Sequence, residues 1–147
     1  MNKTTSKIIQ ISDIVEWSKK EELELSPKYQ RGLVWNEGAK AYLMDTIIRG
    51  LPIPPIFLRQ QVDIRTKSTR REIIDGQQRI RAILEFIVDE KYAIKRSHNK
   101  EYAGKRYSDL DEEMQEAILS YEILAEVVTE KDESLIYDMF ARLNSNN

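Results

Sequence analysis

Cysteine is absent from the chain. Its absence excludes disulfides, thiolate metal sites and cysteine nucleophiles, and fits a reducing cytoplasm. There is one histidine, His98, so no His-rich metal pair can be built. An excess of positive charge is missing too: 23 Lys and Arg face 25 Asp and Glu, for a net charge of −2. A globally basic nucleic-acid footprint is thereby excluded, and any DNA contact must come from a local patch or another domain. Long apolar runs are lacking. The longest, Leu51-Pro52-Ile53-Pro54-Pro55-Ile56-Phe57-Leu58, carries three prolines and is too short to span a bilayer. Residues 1–7 hold two lysines, and no apolar signal-peptide core follows them. None of the five glycines begins a G-x-x-x-x-G-K-[ST] run, so a P-loop is excluded. These absences read as a cytoplasmic protein with no membrane contact.

What is present is enough for one domain with its own core: 147 residues, of which 41% are hydrophobic and 33% charged. Residues 7–11 read as a short edge strand. Ser12 or Asp13 can cap a helix to about Lys20, with Ile14, Val15 and Trp17 inward. Residues 26–32 read as a loop, because Pro27 biases Ser26 away from helix. Asn36 is placed to cap a helix to about Arg49, with Leu43, Ile47 and Ile48 on one face and Gly50 at its stop. A strand follows from Pro54 or Pro55 to Arg59, then a polar connection over 61–70 and a returning strand over 71–74. Asp75 starts a helix to about Asp89, with Ile80, Ile83, Leu84, Ile87 and Val88 as its buried stripe. Residues 91–107 read as a short hairpin. Ser108-Asp109-Leu110-Asp111 opens a helix to about Leu119, residues 121–129 form a strand, and 132–143 form a last amphipathic helix. In that helix Leu135, Ile136, Met139, Phe140 and Leu143 point inward. Strands and helices are mixed rather than alternating, which predicts an α+β fold with helices packed on a small mixed sheet. The chain stops four residues past the last stripe, as expected of a fragment of a longer protein.

The chemically informative stretch is Arg71-Glu72-Ile73-Ile74-Asp75-Gly76-Gln77-Gln78-Arg79-Ile80-Arg81. A strand leads into a tight turn and a helix leaves it. The first helical turn has free N–H groups and a partial positive charge. Asp75 can cap it, and Gln78 can complete a reciprocal cap. Arg79 and Arg81 oppose the dipole, at roughly 0.3–1 kcal/mol each when exposed. Their presence makes sense beside an anion, since helix N–H groups and guanidinium forks together cradle phosphate. Asp75 could then hold magnesium, orient a water, or both. Yet Asp-Gly turns and Asp-x-x-Gln caps are common, and a helical arginine is usually a solvated charge. On these residues alone both readings stand.

Asp75-Gly76-Gln77-Gln78-Arg79 resembles the DGQQR motif of GmrSD-type N-terminal domains, found in modification-dependent restriction and phage-defence systems. Three further segments resemble that family in the same order: Pro27-Lys28-Tyr29-Gln30-Arg31 followed by Val34-Trp35, Gly50 with residues 51–56, and Phe140-Ala141-Arg142-Leu143-Asn144. A more distant likeness is to ParB, whose glutamate–arginine–arginine motif also opens a helix after a strand. The resemblance spans about residues 12–147. It implies a ParB/sulfiredoxin-like fold that binds a nucleoside triphosphate (GTP, CTP or ATP) with Mg2+ and hydrolyses it. It also implies DNA contact through the full-length protein, with nuclease chemistry in a separate C-terminal HNH-type domain. Sulfiredoxin redox chemistry is excluded for want of cysteine.

On this reading Arg79, Arg31 and Arg81 hold phosphates, Gln77 and Gln78 position the nucleotide or the attacking water, and Asp75 supports the metal or that water. Asp75, Gln78 and Arg79 are the catalytic candidates. Gln30, Gly76 and Asn144 complete the nucleotide site, with Asn144 or Asn146 also placed to stop the last helix in left-handed geometry. Positioning and charge neutralisation need no covalent nucleophile. Tyr29 and Trp35 read as structural, Lys40 and Arg49 as solvated charges, and the prolines at 52, 54 and 55 as a pocket wall. The basic stretch Lys91, Lys95, Arg96, His98, Lys100, Lys105 and Arg106, with Tyr92, Tyr102 and Tyr107 among it, reads either as a DNA surface or as a solvated hairpin. Two other functions remain open: a non-catalytic DNA- or protein-binding module, and a ParB-like nuclease.

Overall fold

The computed structural model describes residues 4–30, 32 and 34–145, without the side chain of residue 145. The elements run β1 (Thr4–Gln10), α1 (Ile11–Lys19), β2 (Leu23–Glu24), a 3₁₀ turn (Pro27–Tyr29), α2 (Glu37–Ile48), β3 (Ile56–Asp63) and β4 (Ser68–Asp75). There follow α3 (Gln77–Ile87), a second 3₁₀ turn (Tyr107–Asp109), α4 (Glu112–Leu119), β5 (Glu122–Val128) and α5 (Glu133–Ser145). The five strands form one sheet in the order β1-β5-β3-β4-β2. β1 and β5 are antiparallel, as are β3 and β4, while β3–β5 and β2–β4 are parallel. The fold is α+β, as the mixture of patterns predicts.

Alternation along the strands sends side chains to two unequal cores. Ile56, Leu58, Ile73, Ile123 and Ala125 face the larger one, under α1, α2, α3 and α4. Ile74 and Val128 face the smaller one, closed by Tyr29 and by Ile136 and Phe140 of α5. Neighbours such as Ile73 and Ile74 serve opposite faces because the side-chain period of a strand is two. The small core leaves part of the sheet bare: the cross-strand partners Ile8 and Leu124 are both exposed.

Local chemistry explains several ends. Asn36 accepts from Ala39 N–H at 2.9 Å and Asp111 from Met114 N–H at 2.8 Å, each a helix cap that stabilises by about 1 kcal/mol. Gly50 adopts φ +71° just past α2, where a side chain would be strained.

Six expectations are corrected. The cap of α1 is Gln10, not Ser12 or Asp13; Asp13 instead accepts from Gln10 N–H at 2.8 Å. The connection over 61–70 is mostly strand, since β3 and β4 stay paired out to Asp63 and Ser68. Val88 is exposed because it is the C-cap of α3 and runs past the core. Leu135 is exposed because the small core receives only one narrow stripe of α5. Residues 91–106 form no strand; the arms meet only through Ile94 N–H to the Lys105 carbonyl and Gly104 N–H to the Ile94 carbonyl, and side chains hold the rest. Lys40 is not solvated but pairs with Glu85 at 2.7 Å, joining α2 to α3.

Candidate functional site

β4 lies beside β3 in the sheet and delivers Asp75 to the turn before α3. The cap of α3 is Gly76, at φ +101°. A Cβ there would lie 2.8 Å from Cγ2 of Ile56, so the backbone can approach β3 only as glycine. The sequence predicts Asp75 as the cap with Gln78 closing a reciprocal cap; instead Gly76 takes the cap position and no side chain there caps the helix. The residue in the cap position has no side chain to accept from the first-turn N–H groups. The start of α3 keeps its partial positive charge directed outward from the turn.

Arg79, one turn into α3, folds back over this start. Its Nη2 donates to the Pro55 carbonyl at 2.8 Å and lies 3.8 Å from Oδ2 of Asp75. The proline segment thus supplies a wall and also a backbone acceptor. Residues Asp75 and Arg79 keep about 15% side-chain exposure, enough to meet a ligand from solvent.

The two glutamines act on the strap between β2 and α2. Gln77 is buried, and its Nε2 donates to the carbonyls of Ser26 at 2.8 Å and Ile73 at 3.1 Å. Gln78 accepts through Oε1 from Trp35 N–H at 3.1 Å. One glutamine grips the start of the strap and the other its end. Tyr29 anchors the middle, buried with its ring edge-on to Phe140 at 5.4 Å. Gln30 follows it, half-buried. Arg31 lies outside the described residues. Because these bonds fix both amide orientations, the buried Oε1 of Gln77 remains an unused acceptor and the buried Nε2 of Gln78 an unused donor among the described residues.

Arg81 is half-buried on α3, and no hydrogen bond or ion pair joins its guanidinium to another described residue. Asn144 lies within α5, which continues through Ser145, so it does not stop the helix. Its Oδ1 is buried and has no hydrogen-bond partner among the described residues. Among the described residues no three His, Cys, Asp or Glu side chains gather as a metal site. Asp75 alone would have to share a magnesium ion with phosphate oxygens, which is how Mg2+ is commonly held beside nucleotides.

A charged cluster behind the site was missed by sequence reasoning. Arg59 of β3 and Glu72 of β4 are direct cross-strand partners, both buried, with Nη2 to Oε1 at 2.8 Å. Glu133 of α5 approaches Arg59 at 3.4 Å, and Lys28 of the strap lies 3.7 Å from Glu133 and 4.0 Å from Glu72. Burial works against the charge on Arg59, but the Glu72 carboxylate and its hydrogen bond outweigh that and hold the guanidinium above its ordinary value. The one signal in the sequence was a glutamate in the apolar run of β4; its partner depends on register. A second brace, also missed, joins α2 to the 91–106 segment. Buried Asp45 accepts from Arg49 at 2.8 Å and from Asn99 at 2.8 Å, and Arg49 donates to the His98 carbonyl.

A family model described as the GmrSD restriction endonuclease, N-terminal domain, matches residues 11–147. The chain belongs to that family. Membership places this GmrSD-type domain in the context of DNA restriction and phage defence. Comparison with curated proteins and with solved structures found no match. No helix among the described residues is long and apolar enough to cross a membrane.

Proposed function

We propose that this GmrSD-type domain binds a nucleoside triphosphate with Mg2+ at the start of α3 and hydrolyses it as the sensor step of a restriction protein. The observation that carries the reading is the glycine-capped helix start, with Arg79 folded across it and a strap pinned beside it by Gln77 and Gln78. A helix N-terminus and a guanidinium fork are complementary to phosphate oxygens.

On this reading Gly76 lets the phosphates approach the backbone, and Arg79, Arg81 and Arg31 neutralise them. Gln77 and Gln78 act first as positioning residues, holding the strap at Ser26 and Trp35. The spare Oε1 and Nε2 supply one acceptor and one donor to the nucleotide or to the water that attacks it. Asp75 supports the metal or orients that water, and Asn144 offers its free Oδ1 from α5. The metal would neutralise charge developing on the phosphates. A ParB-like architecture and a separate C-terminal HNH-type nuclease are consistent with this division of labour.

The test is calorimetric titration of GTP, CTP and ATP with Mg2+ into the wild type, Arg79→Ala, Asp75→Ala and Arg81→Ala, with phosphate release measured in parallel. Loss of a charge-assisted bond predicts about tenfold or greater weakening for Arg79→Ala. Melting curves confirm folding, and Arg81→Ala covers the case in which removal of Arg79 unfolds the turn. Undiminished nucleotide binding in all three variants would overturn the site.

A further inference from the structure

We infer that the loop over residues 94–105 is a preformed cationic ridge that docks on the phosphate backbone of duplex DNA. The segment 91–107 holds six of the chain's 23 Lys and Arg but only one of its 25 acids, Glu101. Nine cations elsewhere are matched locally: Lys20, Lys28, Lys40, Arg49, Arg59, Arg70, Arg71, Arg79 and Arg142 each pair with a carboxylate. Lys7, Lys19, Arg65, Lys67, Arg81 and Lys131 pair with none among the described residues but are spread over β1, α1, the β3–β4 turn, α3 and the link to α5. Among the described residues, Lys95, Arg96, Lys100 and Lys105 pair with none, and all four are exposed. Positive potential is therefore concentrated on one loop of an acidic chain, a local patch of the kind the net charge left open.

The loop is held rigidly although it contains no strand. Its base is closed by the paired backbone bonds of Ile94 with Lys105 and Gly104. Its tip turns tightly, with His98 and Asn99 N–H both donating to the Lys95 carbonyl. Asn99 is buried on Asp45, and Ile94 is buried in the large core. Irregular segments of this length in a compact domain are uncommon and tend to be functional. Here the ordering cost of the backbone is already met by the fold, so the cations are offered to a partner without further ordering of the chain.

The aromatic residues decide which nucleic acid fits. Tyr92 is buried and donates to the Ala82 carbonyl at 2.6 Å, and Tyr102 and Tyr107 pack against the large core. No tyrosine of the segment is presented as a stacking platform for an unpaired base. Tyr42 of α2 is exposed beside the loop but meets His98 edge-on at 5.2 Å, so the loop itself offers cations without a stacking ring of its own, which suits the dense phosphates of a duplex. Acids at the base of the loop are engaged elsewhere: Glu90 accepts from Ser108 N–H at 2.8 Å and Asp109 from Arg106 N–H at 2.9 Å.

The experiment measures fluorescence anisotropy of a labelled duplex oligonucleotide against the whole chain, without nucleotide or Mg2+, across a salt series. Two variants carry the same change in net charge: Lys95→Glu with Lys100→Glu on the loop, and Lys19→Glu with Lys131→Glu at exposed positions elsewhere. The loop variant should bind about tenfold or more weakly at low salt and lower the salt slope by about 0.9 for each phosphate contact removed. The matched variant should stay within about twofold of wild type, because it leaves the contacted phosphates alone. Equal weakening of both variants, absence of wild-type binding at low salt, or tighter binding of a single strand or an acidic peptide would each overturn the inference. Omitting nucleotide keeps this result separate from the triphosphate site.

Discussion

Arg59 and Glu72 show how one buried pair can organise a site it does not enter. Each lies in the sheet with almost no exposure, and each would be costly alone. Glu72→Gln leaves the Arg59 charge buried with only the longer contact to Glu133, and should destabilise the domain by about 3 kcal/mol. Glu133→Gln should cost under about 1 kcal/mol, because the Glu133 side chain is 66% exposed and water compensates its loss. Urea denaturation of both variants checks this; equal losses would show that the Arg59–Glu72 contact has no special weight. Gly76 is the other position where a single residue governs geometry, since both its φ and the nearness of Ile56 forbid a side chain. Both facts were partly legible. The glycine sits in a recognisable turn, whereas the partner of Glu72 is set by a strand register that no local pattern reveals.

At the level of elements, α5 is the helix that joins the small core to the strap. Asp132 precedes it and accepts from Ser134 N–H at 2.9 Å and Ser134 Oγ at 2.7 Å. These bonds hold the Asp132 carboxyl below its ordinary value. A carboxylate with a depressed folded-state pKa contributes fully above its unfolded value of about 3.9, and that contribution fades as pH falls through the folded value. The start of α5 should therefore loosen on acidification below about pH 4, not on alkalinisation. An NMR titration following the Ser134 amide should report a midpoint below that of a free aspartate, and Ser134→Ala should move it upward. An unchanged midpoint in the variant would show that the serine bonds do not set it. α3 was legible because its buried residues, Ile80, Ile83 and Ile87, recur at helical spacing. The 91–106 segment was not, because buried side chains rather than a ladder fix its shape.

Across the whole molecule, the two cores differ greatly in size, and their stability should differ in the same sense. The large core buries residues from β1, β3, β4, β5 and all of α1 to α4. The small one rests on Tyr29, Ile74, Val128, Ile136 and Phe140. Local opening costs least where few apolar contacts are broken. Amide exchange under native conditions should show α5 opening at lower free energy than α3 and β4. Nucleotide with Mg2+ should raise the protection of the strap at Gln30, because ligand binding stabilises the states it fits. Uniform protection of α5 and α3 would mean that the two cores open as one unit. The proposed triphosphate site would adjoin the strap that the small core anchors at Tyr29, so that binding there would act on the part expected to open first.

The sequence by itself determined the strand–turn–helix at Gly76, most helix faces, the ends of α2 at Asn36 and Gly50, the α+β class and the family, because those depend on residues close together in the chain or on ordered motifs. Tertiary structure alone decided what the motif residues hold. Gln77 reaches back to Ser26, Gln78 to Trp35 and Arg79 to Pro55, and none of these partners is implied by local spacing. It also decided which cations are neutralised and which remain free on the 94–105 loop. A backbone preference acts over a few residues, whereas the partner of a buried polar group is set by the packing of segments far apart in the chain.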